Sequence, residues 1–177
     1  MSPNRPNRQR GLTLVEGCVT LAVATLIVGA AVPSFERAVE RRHIEGTAAQ
    51  LETDLQQARS LAVTRNESVR VGFEANSETS CYVIHTGGAG DCSCLAEGGA
   101  VCRAGAHSLH LVRIGAGTRV HSNSRSMLFD PLKGTVTPTA TIQVQGRSGV
   151  ALNEVVNIMG RVRSCSPGGA LPGYRVC

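Results

Sequence analysis

Residues 12–32, LTLVEGCVTLAVATLIVGAAV, are 21 consecutive positions at which Glu16 is the only charged side chain. A helix that crosses a bilayer needs about 20 such residues at about 1.5 Å each, so the run is long enough to span one. The segment ahead of it, MSPNRPNRQRG, is polar and carries Arg5, Arg8 and Arg10. Basic residues on the amino side predict that this end stays cytoplasmic and that the rest is exported. A secretory signal peptide has a shorter apolar core with a small-residue cleavage site behind it. Here the apolar run passes through Pro33 into a further helical pattern. Glu16 is costly in hydrocarbon, by about 2.5–3.5 kcal/mol at the membrane centre. It is either a charge held at the headgroups and favoured by the helix dipole, or a carboxylate with a use inside the membrane.

From Ser34 to Thr64, Ile44, Ala48, Leu51, Leu55, Ala58 and Ala62 recur at spacings of three and four, which predicts one apolar helix face laid on a sheet. A continuous helix from Leu12 to Thr64 has 53 residues and measures roughly 80 Å. A small domain cannot bury such a rod, so its first half calls for lipid or partner helices. Glu36, Arg37, Glu40, Arg41, Arg42 and Glu45 read as a solvated juxtamembrane face. Beyond Asn66 the period changes to two, with Val69, Val71 and Phe73 on one side. Strand-like runs come next at 81–85, 109–114, 126–130, 141–145 and 150–159, separated by Gly, Asn, Ser and Pro. A long helix succeeded by a series of strands predicts an α+β fold with antiparallel sheet.

The chain has 177 residues, 42% hydrophobic and 18% charged, which fits one small domain with an appendage and excludes a large multidomain enzyme. Its formal charge is +5, but without the first eleven residues 15 basic side chains face 13 acidic ones, leaving +2. A nucleic-acid argument therefore rests on where charge sits. Seven cysteines point to an oxidising compartment. Cys18 lies in the apolar run and leaves six. Cys165 and Cys177 close a short loop at the carboxyl end, and Cys92 and Cys94 are too close together to pair easily. The central four then pair as 81–92 with 94–102, or as 81–94 with 92–102. Cys92, Cys94, Cys102, His85 and His107 also offer zinc donors, but their spacing is not that of a finger or ribbon, and no metal is expected. No GxSxG, HExxH, P-loop or dinucleotide fingerprint is present. The expectation is a protein that is not an enzyme and uses no cofactor.

Gly11-Leu12-Thr13-Leu14-Val15-Glu16, preceded by arginines and continued by the apolar run, resembles the class III signal of type IV pilins and type II secretion pseudopilins. Leu12 departs from the usual phenylalanine, and Pro33 falls where many pilins carry a helix-kinking proline. The resemblance implies cleavage by prepilin peptidase between Gly11 and Leu12 and N-methylation of Leu12. It also implies a role for Glu16 as the assembly carboxylate that meets a neighbouring subunit's amine. The phrases AAQLETDLQQARSLAVTRNESVRVGF, DPLKGTVTPTATIQV and MGRVRSC are similar to the FimT/GspH branch. The fold implied by this resemblance is type IV pilin-like, with a long amino-terminal helix, transmembrane in its first half, packed on antiparallel sheet. Its parts would be a cleaved leader (1–11), a transmembrane and assembly helix (12–33) and a periplasmic globular domain (34–177). The domain would comprise the second half of the helix (34–64), a β region (67–163) and a disulfide-closed tail (164–177). The implied location is the inner membrane with a single pass, then the pilus, and the implied partners are other major and minor pilins and the peptidase.

The alternation of Val150, Leu152, Val156, Ile158 and Val162 predicts a strand running through Gly160, with Arg161 and Arg163 projecting together from its other face, about 7 Å apart, near the spacing of successive phosphates. Arg147 and Arg175 are expected at the same end, and SPGGALPGY (166–174) is expected to stay mobile inside the Cys165–Cys177 loop. Gly160-Arg161-Val162-Arg163 resembles the GRxR element by which FimT-type minor pilins bind DNA in natural transformation. That resemblance implies non-sequence-specific binding of double-stranded DNA. Exposed arginines also keep a surface soluble or pair with carboxylates of adjacent subunits. The alternative function is structural: a minor pilin that primes pilus assembly, or a GspH-like pseudopilin of type II secretion without DNA binding.

Overall fold

The computed structural model describes residues 13–75, 80–95, 98–103, 105–115 and 117–177. Gly11 and Leu12, the expected cleavage site, lie outside them. The first element is helix α1 (Leu14–Arg65), and it contributes to two compact units, Met1–Ala38 and Val39–Cys177. In the first unit, Leu14, Leu21, Leu26 and Ile27 are all exposed, and α1 holds a window long and apolar enough to cross a membrane. The Thr13 hydroxyl accepts from the Glu16 N–H at 3.3 Å, which places Glu16 in the first turn as the fourth member of a Thr-x-x-Glu capping pattern. Cys18 is a free, exposed thiol.

In the second unit the buried helix residues are Ile44, Ala48, Leu51, Asp54, Leu55, Ala58 and Ala62, the anticipated stripe with one carboxylate added. The helix ends where Asn66 takes φ +49°, a left-handed conformation that asparagine tolerates. The Glu67 N–H there closes on the Ala62 carbonyl at 3.1 Å. Eleven strands come after it among the described residues: β1 (Val69–Ala75), β2 (Ser80–Thr86), β3 (Cys92–Cys94), β4 (Ala100–Cys102), β5 (Ser108–Ile114), β6 (Thr118–Ser122), β7 (Ser126–Phe129), β8 (Val136–Thr137), β9 (Ala140–Gly146), β10 (Ala151–Val156) and β11 (Val162–Cys165). They form a five-stranded sheet ordered β5-β2-β1-β7-β8, a four-stranded sheet ordered β11-β10-β9-β6, and the hairpin β3-β4. All the strand pairings are antiparallel.

One core joins the helix stripe to Val69, Val71, Tyr82, Ile84, Met127 and Phe129 of the larger sheet and to Ile142, Val144, Leu152 and Val156 of the smaller. β2 is buried at all seven positions, because α1 covers one face and the glycine-rich insertion covers the other. On that second face Val83 packs with Cys92, Ala106 and Leu111. Two bridges staple the insertion, Cys81–Cys94 and Cys92–Cys102, and a third joins Cys165 to Cys177.

The strand expected over 150–159 stops at Val156. Asn157–Gly160 reverses the chain, and β11 returns alongside β10 with Val155 opposite Arg163 and Asn153 opposite Cys165. Gly160, with φ +71°, makes the reversal possible, since a residue with a Cβ is strained there.

Candidate nucleic-acid interface

The reversal at Asn157–Gly160 is held by its own polar groups. The Asn157 side-chain oxygen accepts from the Met159 N–H at 3.0 Å and from the Arg161 N–H at 2.9 Å. The Gly160 N–H donates to the Asn157 carbonyl at 2.9 Å, and the Asn157 N–H to the Arg161 carbonyl at 3.1 Å. Arg161 therefore leaves a fixed turn, and Arg163 comes two residues later on edge strand β11, opposite the exposed Val155. Both arginines are exposed. The unbroken strand expected to carry the two arginines is instead a hairpin, with Arg161 at its turn and Arg163 on β11.

Gly160 also admits a third arginine. A Cβ at this position would lie 3.1 Å from Arg59 Cδ and 3.2 Å from the Gly134 carbonyl oxygen. Arg59, on the last turns of α1, thus lies against the glycine that precedes Arg161. A groove of about 500 Å³ runs between the helix and the start of β11, and Gln56, Arg59, Ser60, Thr64 and Arg161 supply its polar lining. Among the described residues, none that lines it is acidic. Two guanidiniums with hydroxyls and an amide, and no carboxylate, form an anion-binding surface suited to phosphate oxygens. Sequence reading missed Arg59 because it sits between Ala58 and Ser60 with nothing local to mark it; only the chain reversal brings it to Arg161. Gly160→Ala is expected to destabilise the unit by about 1–2 kcal/mol and to push Arg59 aside, which urea melts and the Arg59 side-chain NMR signals will show.

Two of the four anticipated arginines are placed elsewhere. Arg147 lies on the β9–β10 turn, its guanidinium against Gly117. The same turn is fastened to α1 through the Ser148 N–H, which donates to Glu40 at 2.7 Å. That hydrogen bond, aided by the Arg147 charge, holds the Glu40 carboxyl below its usual range. Glu40 and Arg59 are separated by roughly 28 Å of helix, so Arg147 belongs to the other end of the sheet. The tail that carries Arg175 is pinned, contrary to the expectation of a mobile loop. Leu171 is buried, and its N–H donates to the fully buried Ser166 hydroxyl at 3.0 Å. The Arg175 carbonyl accepts from the Ser166 N–H at 2.8 Å, and Arg41 donates to the Pro172 carbonyl at 2.7 Å. A Leu plug and these bonds override the flexibility that the glycines and prolines imply, and Arg175 does not line the groove.

Other sites weighed in the sequence resolve as structure. All four central cysteines are in disulfides, which uses up the thiolates that a zinc site would need. His85 is fully buried beneath the insertion, and its Nδ1 donates to the Thr86 carbonyl at 2.9 Å. His110 is exposed and lies 3.7 Å from Asp54. Asp54 in turn accepts from the Tyr82 hydroxyl at 2.5 Å.

The family model for the type II transport protein GspH matches residues 47–160, more than half of the chain. The chain belongs to the GspH family. The match ends at Gly160, so Arg161 and Arg163 lie just beyond the matched region of this GspH-family chain. Its fold resembles that of the Pseudomonas aeruginosa type IV minor pilin FimU. One crystal form gives 18% identity and a TM-score of 0.52, covering 76% of this chain and 96% of that one. A second gives 17% identity and a TM-score of 0.50, covering 74% and 98%. At these identities the likeness is one of fold. No curated protein matches the chain.

Proposed function

We propose that this GspH-family protein is a minor type IV pilin that captures extracellular double-stranded DNA, without sequence preference, for uptake in natural transformation. The observation that carries the reading is the groove that Arg59 and Arg161 line together without an acidic residue, with Arg163 exposed two residues further on in the edge strand. Three guanidiniums on a rigid helix end and a rigid turn contact successive phosphates, which positions a duplex without reading its bases. Arg147 and Arg175, on the other end of the sheet and on the tail, add only general attraction. In the same reading prepilin peptidase cuts between Gly11 and Leu12, and Leu12 is methylated. The helix then leaves the inner membrane for the filament, where Glu16 meets a neighbouring pilin.

The test is a titration of the full chain in non-ionic detergent with a random duplex at several salt concentrations. Arg161→Ala with Arg163→Ala is expected to weaken binding more than tenfold at low salt and to reduce the slope of log K against log salt by roughly 2. Arg59→Ala is expected to reduce it by a further ~1. Unchanged affinity in the double variant rules the reading out. A second reading, a pseudopilin of type II secretion, is favoured by the family match itself, which carries the GspH description and stops before Arg161. Loss of secretion with intact transformation in a deletion strain would select it.

A further inference from the structure

The tip of the β10–β11 hairpin carries two large apolar side chains that the core does not use. Ile158 is 59% exposed and Met159 is 54% exposed. The turn that presents them is rigid, with Asn157 bonded to Met159, Gly160 and Arg161. A second tight turn stands beside it, tied by the Val136 N–H to the Ile158 carbonyl at 2.8 Å. Its Asp130 carboxylate is occupied by the backbone N–H groups of Leu132 and Lys133, at 3.0 and 2.8 Å. The tip is therefore an apolar pair on a fixed support, with Arg59 and Arg161 beside Gly160, Arg163 on the strand that follows, and Asp130, the exposed Leu132 and Lys133 on the neighbouring turn. Exposed apolar groups held this firmly beside a cluster of arginines mark a contact surface, and the arginines select an anionic partner.

Resting on the DNA reading, we propose that Ile158 and Met159 form a wedge that enters one base step of the bound duplex from the minor groove while Arg59, Arg161 and Arg163 hold the neighbouring phosphates. Apolar wedges of this kind partly unstack a step and bend DNA by roughly 20–90°. The unstacking cost of a few kcal/mol is offset by the phosphate contacts that the bend brings within reach. An interfacial lipid contact calls for the broad apolar face of an amphipathic helix. The wedge also gives a preference without base hydrogen bonds, since duplexes with TA or CA steps bend and unstack more easily than A-tracts.

The test uses the full chain in non-ionic detergent with a 20-base-pair duplex carrying a donor and an acceptor dye at its two ends. Energy transfer is expected to rise on saturation, and more so for a duplex with a central TA step than for an A-tract. Ile158→Ser with Met159→Ser is expected to bind several-fold more weakly, with no rise in transfer and an unchanged salt slope. Both residues are exposed, so the variant's thermal midpoint should match that of the wild type. Saturable, arginine-dependent binding without a change in transfer overturns the wedge and leaves the DNA reading intact, as does a rise that survives the serine variant. Absence of any wild-type binding overturns both. Binding to phosphatidylglycerol vesicles that the serine variant loses, with no bending of DNA, assigns the tip to lipid and overturns the wedge.

Discussion

Between pH 4.5 and 7 the globular unit is expected to lose about 3 kcal/mol of stability, and Glu154→Gln is expected to abolish that loss. Glu154 shares the inward face of β10 with Leu152 and Val156 and is 1% exposed. Burial pushes its carboxyl from the ordinary 4.5 up to about 7; the negative charge of Glu52 adds to the rise, and the Ser164 hydroxyl, donating at 3.0 Å, opposes it. Below pH 4.5 the carboxyl is protonated in both the folded and the unfolded chain and contributes nothing to the difference. As pH rises through 4.5 the unfolded chain ionises while the folded one keeps its proton, so stability falls. Above 7 both are ionised and the full penalty of a buried charge persists. Glutamine is neutral throughout and still accepts from Ser164. Urea melts at pH 5 and pH 8 decide the matter, and equal stability of the wild type at both would refute it. Glu40, whose carboxyl is held low by Ser148, acts in a separate window: its contribution is present above 4.5 and is lost as pH falls through its own lower value.

Removing one oxygen from the helix–sheet boundary is expected to cost nearly as much. Tyr82→Phe leaves the buried Asp54 carboxylate without the hydroxyl that donates to it at 2.5 Å, and the remaining neighbour is His110 Nε2 at 3.7 Å. A hydrogen bond to a charged group is worth about 1.5–3 kcal/mol, and leaving a buried acceptor unmet costs the upper part of that range. The expected loss is therefore about 2–3 kcal/mol. Burial and the Asp54 charge hold the Tyr82 hydroxyl well above its ordinary range, so it remains a donor across the accessible pH range. Asp54→Asn, which keeps an acceptor oxygen, should cost about 1 kcal/mol. A double-mutant cycle reads the pair directly, and coupling below about 0.5 kcal/mol would show that the contact does not fasten the helix.

The helix stripe from Ile44 to Ala62 was legible because six apolar positions at spacings of three and four leave few alternatives, and Val69 and Val71 mark β1 just as clearly. The short strands were not. β6 has one buried apolar residue, Val120, β8 has two residues, and periodicity cannot be read from so little. Asp54 and Glu154 break the pattern on faces that are otherwise apolar, since both carboxylates are buried. The GRVR run was visible, but its setting was not. A strand extrapolated through Asn157 and Gly160 keeps Arg147 and Arg161 within one patch, whereas the reversal at Gly160 sends Arg161 to the helix end and to Arg59. Composition predicted a mobile tail because glycine and proline are local signals, and the burial of Leu171 is a tertiary one.

The three disulfides all lie within the strands, the insertion and the tail; none ties α1 to a sheet. Under traction along the chain they remove residues 82–91, 95–101 and 166–176 from the extensible path, roughly 100 Å of contour at about 3.5 Å per residue. The helix has no such tether and is retained only by its apolar stripe and a few polar contacts. Pulled on, the unit would yield first by the helix peeling away, while the cross-linked insertion and tail stay closed.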